Sequence, residues 1–275
     1  MKPAPFDYCR PSTLHEALAL LAARPGSARA LAGGQSLVPM LNLRLAAIDL
    51  LVDLGRIAQL REVVTEAKRV RYGALVPHAD FEDGRVPDAA DGLLRTVGGA
   101  IAYRAVRTRG TIGGSIALCD PAADWLPALL ALDATVSVAA PEGTREIALQ
   151  SFVIGAYQTV LGDSELILSV NVPKLAPQAR WGRAKVTRKT GEYADAMAVC
   201  VLDRSRSHAR LVSGAIGNLP LMLVATAEAA LRGEPLARIR ACAHEEIAAR
   251  LPMLEAHAVG LHAVTAARAV AQALR

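Results

Sequence analysis

Ala30-Leu31-Ala32-Gly33-Gly34-Gln35-Ser36-Leu37-Val38-Pro39-Met40 changes its periodicity at the glycine pair. Residues 29–32 read as a strand and residues 37–45 as an apolar helical repeat, so the segment predicts strand, glycine turn, helix. Ser36 stands where a helix cap belongs, and Pro39 falls in the first turn, where its missing N–H costs little. Such a turn aims free backbone N–H groups and the positive end of a helix dipole at one spot, which suits a pyrophosphate. The glycine pair alone favours a plain turn between strand and helix.

Working outward, Thr13 and Glu16 form a capping box ahead of Leu14, Ala17, Leu18 and Leu21, and Pro25-Gly26 ends that helix. Further strands are expected over residues 70–76, 134–139 and 166–172. Residues 173–180 hold two prolines among polar residues and read as a connector, with a boundary near 177. Beyond it, strands are expected over 184–188, 196–202 and 209–216, then alanine-rich helices from about Leu221, Glu234 and His257. Arg232, Arg238, Arg240 and Arg250 read as their solvated faces. The pattern predicts an α+β fold with domains 1–177 and 178–275, the first split into two subdomains near 55–60.

A second glycine loop, Arg107-Thr108-Arg109-Gly110-Thr111-Ile112-Gly113-Gly114-Ser115, has the composition of an anion site. Its backbone amides and the hydroxyls of Thr111 and Ser115 suit phosphate oxygens, with Arg107 and Arg109 raising the local potential. Neither loop spells G-x-G-x-x-G or the P-loop motif, so a dinucleotide would bind in another way.

The remaining composition mainly excludes. The 31 basic and 26 acidic residues nearly balance and form no basic block, which argues against nucleic acid. Cys9, Cys119, Cys200 and Cys242 are too scattered for a zinc or iron–sulfur motif and read as reduced, mostly buried thiols. The six histidines supply no metal-binding pair, and His78 reads as a loop residue. No apolar run is long enough for membrane insertion, and Lys2, Asp7 and Arg10 interrupt any leader-like start, so a cytoplasmic location is expected.

The two glycine loops, taken with Asp120-Pro121-Ala122-Ala123-Asp124-Trp125, Glu165-Leu166-Ile167 ahead of Val172-Pro173, and Arg188-Lys189-Thr190-Gly191-Glu192-Tyr193-Ala194, form an ordered set along nearly the whole chain. This set resembles the FAD-binding medium subunits of the molybdenum hydroxylases, the xanthine dehydrogenase and carbon monoxide dehydrogenase family. The resemblance implies a p-cresol methylhydroxylase-type FAD-binding fold of two subdomains, and a smaller α+β C-terminal domain of the carbon monoxide dehydrogenase flavoprotein type. It implies Ala32, Gly33, Gly34, Gln35 and Ser36 together with Thr111, Ile112, Gly113 and Gly114 as the pyrophosphate cradle. Ser115 and Asp124 would be further contacts, Tyr193 the aromatic that shields the flavin ring, and Lys185 a neighbour. The sequence departs from the family pattern at Thr108, Leu118 and Leu221.

The function implied by the resemblance is that of an oxidoreductase subunit with non-covalent FAD, no catalytic side chain and no metal of its own. Molybdopterin and [2Fe-2S] clusters are expected in partners, a molybdopterin-binding large subunit and an iron–sulfur small subunit, assembled as a dimer of heterotrimers. The chain would pass electrons from those clusters to an external acceptor. A self-sufficient FAD-dependent oxidoreductase and a flavin-free assembly subunit are the alternatives.

Overall fold

In the computed structural model, which describes residues 2–275, the chain opens with a parallel sheet of three strands in the order β1-β3-β2. These are β1 Asp7–Cys9, β2 Ala28–Leu31 and β3 Leu50–Asp53. Parallel strands all run out at one edge, so the residues that follow them collect there: Arg10, the Ala32–Gly33–Gly34 turn, and Gly55 with Arg56.

Helix α1, Leu14–Ala22, connects β1 to β2 and buries Ala17, Leu18 and Leu21. Its capping box closes as the sequence predicts on one side, Glu16 N–H donating to Thr13 Oγ1 at 3.2 Å; the reciprocal bond comes from Ser12 N–H to Glu16 Oε2 at 3.0 Å. Helix α2, Leu37–Asn42, is shorter than the periodicity predicts. The chain leaves it through Arg44 at φ 57, and Leu43 and Leu45 are 54% and 72% exposed, so their apolar spacing has nothing to pack against.

The second sheet is antiparallel, ordered β4-β5-β10-β6-β7, with β4 Val63–Thr65, β5 Arg69–Gly73, β6 Thr135–Ala140, β7 Gly143–Ala148 and β10 Leu166–Pro173. Between β5 and β6 the chain forms α3 His78–Glu82, α4 Leu93–Gly99, α5 Arg104–Arg109, α6 Ile112–Leu118 and α7 Trp125–Ala131. Between β7 and β10 lie α8 Leu149–Phe152 and a small hairpin of β8 Val153–Gly155 and β9 Gln158–Thr159. Tyr72, Phe81 and Trp125 anchor this core, with ring centroids 4.9 and 4.8 Å apart along the chain of contacts.

A third sheet, β11-β12-β13-β14, holds β11 Arg180–Val186, β12 Ala196–Asp203, β13 His208–Gly214 and β14 Leu221–Met222. Helices α9 Val224–Leu231, α10 Leu236–Arg250 and α11 Ala256–Ala273 follow. Every residue of β12 is buried because the strand is covered on both faces: Val199 and Val201 join the core of the second sheet, while Ala198, Cys200 and Leu202 join the helices. A continuous apolar run is the sequence form of such a strand. Strand β11 begins at Arg180, earlier than predicted, and residue 221 opens a short strand in place of a helix. Among the described residues no helix is long and apolar enough to cross a membrane.

Candidate cofactor site

The turn after β2 carries the clearest ligand-binding signal in the molecule. The N–H groups of Gly33, Gly34, Gln35 and Ser36 donate to no acceptor among the described residues. Four consecutive free donors beside a parallel sheet edge form a concavity that attracts an anion. Gly34 has φ 75, a conformation that favours glycine. Gly33 is glycine for another reason: a Cβ there would stand 2.0 Å from the Arg109 carbonyl oxygen and 2.9 Å from the Gly110 Cα. The two glycine loops therefore touch, and a Cβ on Gly114 would meet that of Ala32 at 3.4 Å.

Several roles expected from the sequence are corrected. Ser36 does not cap α2: its backbone is already helical and its hydroxyl makes no cap bond. In the second loop the amides of Ile112, Gly113, Gly114 and Ser115 are already used, donating to Val76 O, Ala74 O, Thr111 Oγ1 and Thr111 O. Thr111 is the true cap, of α6. Ile112 and Gly113 face the core, and a Cβ on Gly113 would lie 2.5 Å from that of Ala74. Arg107 is not a free cation. It is the half-buried clamp of α5, pairing with both oxygens of Glu82 and donating to the carbonyls of Ile101 and Ala102, each at 2.9 Å.

Arg109 is exposed and forms no ion pair among the described residues. It contributes to the charge around Asp53, where the Tyr8 hydroxyl donates at 2.5 Å and Arg10 pairs at 3.2 Å. Burial pushes the Asp53 carboxyl up, but the Tyr8 hydroxyl, the Gly55 N–H, Arg10 and Arg109 together hold it below the usual range.

His78 is buried at the start of α3, not in a loop, and accepts a hydrogen bond on Nδ1 from the Trp125 indole at 3.0 Å. Its backbone N–H donates to the Gly110 carbonyl at 2.9 Å, and its ring lies 2.9 Å from where a Gly110 Cβ would stand. Burial, then Arg107, lowers its pKa to about 4, so it is neutral near neutral pH. No local spacing in the sequence marks this support of the second loop, because His78 and Trp125 are separated by 47 residues.

From the glycine loops, α6 runs to the other end of the site. Asp124 is 6% exposed and holds Arg183 at 2.5 Å and Lys185 at 2.9 Å, and Lys185 also donates to the Ala100 carbonyl at 3.3 Å. This buried ion triad joins the head of α7 to β11, which leaves Asp124 engaged by protein cations. Near it, Tyr193 and Tyr157 are 62% and 61% exposed and share the neighbourhood of Asp120. Tyr103 packs against Gly191 in the Tyr193 loop. The seven-residue helix α6, about 10 Å long, leads from the loop contact to the Cys119–Asp120 segment.

FAD is a dinucleotide with an anionic pyrophosphate at one end of a ribityl chain and a planar ring at the other. Free amides, a close-packed glycine contact and exposed aromatics one short helix away fit that outline. Cavities of about 350 and 400 Å³ lie elsewhere, between α1 and the β6–β7 turn and beside residues 87–91 and 174–177. Among the described residues no cluster of His, Cys, Asp and Glu could hold a metal.

Comparison with known proteins gives the class, a flavin-binding subunit of an oxidoreductase. Residues 4–175 match the family described as the FAD binding domain in molybdopterin dehydrogenase, and the chain belongs to that family. It is 34% identical over 234 residues to the carbon monoxide dehydrogenase medium chain of Hydrogenophaga pseudoflava, covering 85% of this chain and 79% of that one. It is 34% identical over 254 residues to the nicotine 6-hydroxylase medium subunit of Paenarthrobacter nicotinovorans, covering 91% and 88%. The structure superposes on the H. pseudoflava carbon monoxide dehydrogenase with TM-score 0.90 at 31% identity, covering 100% and 99% of the two chains. For quinoline 2-oxidoreductase of Pseudomonas putida 86 the TM-score is 0.89 at 30% identity, covering 99% and 98%. The cofactor is FAD, and the chain is an oxidoreductase subunit of the molybdenum hydroxylase family.

Proposed function

We propose that the four free N–H groups of Gly33, Gly34, Gln35 and Ser36 hold the FAD pyrophosphate, and this unpaired run is the observation that carries the reading. Ala32, Gly114 and the hydroxyls of Thr111 and Ser115 complete the rim, with Ile112 and Gly113 supporting it from the core side and Arg109 supplying charge. Tyr193 covers the ring, while Asp124 and Lys185 stiffen the wall beside it. When bound, FAD supplies the ability to take up electrons singly and release them singly or in pairs. The protein's own part is to bind, orient and shield; no side chain is assigned a proton transfer. Binding is non-covalent. Residues 1–177 and 178–275 are the two domains of this reading, the first dividing near 55–60.

In the complex, the chain stands between an iron–sulfur small subunit and an external acceptor, and a molybdopterin-binding large subunit oxidises the organic substrate. The assembly is a dimer of heterotrimers in the cytoplasm. Support comes from the relatives, which are medium chains or subunits by name. Acid precipitation of the FAD-loaded chain should release flavin into the supernatant; colour kept in the pellet rejects the non-covalent claim. The loaded chain should carry electrons from NADH to a dye but oxidise no aldehyde, purine or N-heterocycle until the partner subunits are added. Equal substrate turnover with and without partners would replace this reading with a self-sufficient oxidoreductase.

A further inference from the structure

The loop that joins β11 to β12 leaves the sheet at Val186 and returns at Asp195, whose N–H donates to the Val186 carbonyl at 2.9 Å. Inside it, Glu192 N–H closes a turn on the Lys189 carbonyl at 3.2 Å. Among the described residues, 187–192 share no hydrogen bond or ion pair with any other element. A long hairpin loop tied only at its base opens easily, yet this one carries Tyr193. What packs on the loop decides where that side chain stands.

Tyr103 is the packing partner. A Cβ on Gly191 would stand 2.7, 2.9 and 3.0 Å from Tyr103 Cε1, Cζ and Cδ1. Three neighbouring ring carbons at nearly equal distances mean that the ring turns its face, not its edge, to the Gly191 backbone. Gly191 has φ 88 and no room for a side chain, so two independent constraints require glycine. The segment that presents the ring is itself tied down. Lys185, in β11 just ahead of the loop, donates to the Ala100 carbonyl at 3.3 Å, and Arg107 donates to the carbonyls of Ile101 and Ala102, each at 2.9 Å. The Tyr103 carbonyl accepts the Arg107 N–H at 3.1 Å as α5 begins. Ala102, at φ 41, is left-handed without being glycine, a strain that persists only where the surroundings over-determine it.

We propose that Tyr103 is a positioning residue: its ring face clamps Gly191 and holds residues 187–194, and with them Tyr193, beside the flavin site. The purpose of the clamp rests on the flavin reading, but the clamp itself belongs to this chain with or without FAD.

The test uses the full chain and the variants Tyr103→Ala, Tyr103→Phe, Gly191→Ala and Tyr193→Ala, with folding checked by far-ultraviolet circular dichroism and the urea midpoint. Arg188 and Lys189 are exposed in the loop, so trypsin reads its opening directly, with the cut site identified by mass spectrometry. Without FAD, cleavage after these two residues should be roughly tenfold faster in Tyr103→Ala than in the parent, because the rate follows the population of the open loop. Tyr103→Phe keeps the ring face and should match the parent. Gly191→Ala displaces the ring from the other side and gives the same reading if Tyr103→Ala folds poorly. With FAD, iodide should quench flavin emission more strongly in Tyr103→Ala, and adding Tyr103→Ala to Tyr193→Ala should increase quenching no further, because both changes remove one shield. Parent-like cleavage in Tyr103→Ala and Gly191→Ala, or cleavage of Tyr103→Phe as fast as Tyr103→Ala, overturns the clamp. Faster cleavage with unchanged iodide quenching overturns its link to Tyr193. If the parent binds no FAD, the flavin reading fails while the tryptic rates still decide the clamp.

Discussion

Gly33 shows how much one missing methyl group decides. Its Cβ would fall 2.0 Å from the Arg109 carbonyl, so Gly33→Ala must push the two glycine loops apart. Affinity for FAD is expected to drop at least roughly tenfold, because a shift of a few tenths of an ångström misaligns several amide donors together. Gly26→Ala is the control. Gly26 has φ 76 and an added Cβ would make only an ordinary contact with Asp163 at 3.7 Å, so the change should cost about 1 kcal/mol of stability and leave FAD affinity unchanged in a flavin titration. His78 makes a second case. Its folded pKa, about 4, lies below the 6.5 of an unperturbed histidine. Between those values the unfolded state binds more protons, so the stability His78 contributes is full above pH 6.5 and is lost as pH falls through 4. The loss is on the order of 3 kcal/mol, and His78→Gln should flatten that part of a urea-unfolding profile measured against pH. The glycine positions were legible because few residue types make such turns. The parts played by His78 and Arg107 were not, since their partners Trp125 and Glu82 lie 47 and 25 residues away.

Among the elements, α11 and β11 meet through Gly182, where a Cβ would lie 2.0 Å from the Ala269 carbonyl oxygen. Ala263, Ala266, Ala269 and Ala273 form the buried stripe that lets the helix approach the sheet so closely. Gly182→Val should therefore cost about 3 kcal/mol through overpacking, seen as a lower urea midpoint with an unchanged slope. Alanine richness after residue 220 predicted helices correctly, while their starting points slipped by one to three residues at 221, 234 and 257, against observed starts at Val224, Leu236 and Ala256. The error over residues 43–45 has the same physical origin as the success over residues 14–21. Periodicity reports which residues could face a core; one lies beneath α1, and none lies beneath Leu43 and Leu45.

At the scale of the whole molecule, the Asp124–Arg183–Lys185 triad is a joint between the head of α7 and the third sheet. All three side chains are nearly buried, so Asp124→Ala would leave two cations facing each other with little water to screen them. A loss of about 3–5 kcal/mol is expected on removing one partner of such a group, measured by urea unfolding, and Asp124→Ala with Lys185→Met should recover part of it. The sequence by itself determined the α+β class, the family and the first glycine turn. Those rest on local chemistry: a turn that needs glycine, a strand buried on both faces that must be apolar throughout, and ordered motifs along one chain. The tertiary structure alone decided which donors are free. The amides of both loops look equivalent in sequence, yet those after Thr111 are consumed by Val76, Ala74 and Thr111 while those of Gly33 to Ser36 are not. Hydrogen-bond capacity is a property of what the chain brings alongside, and residues distant in sequence bring it.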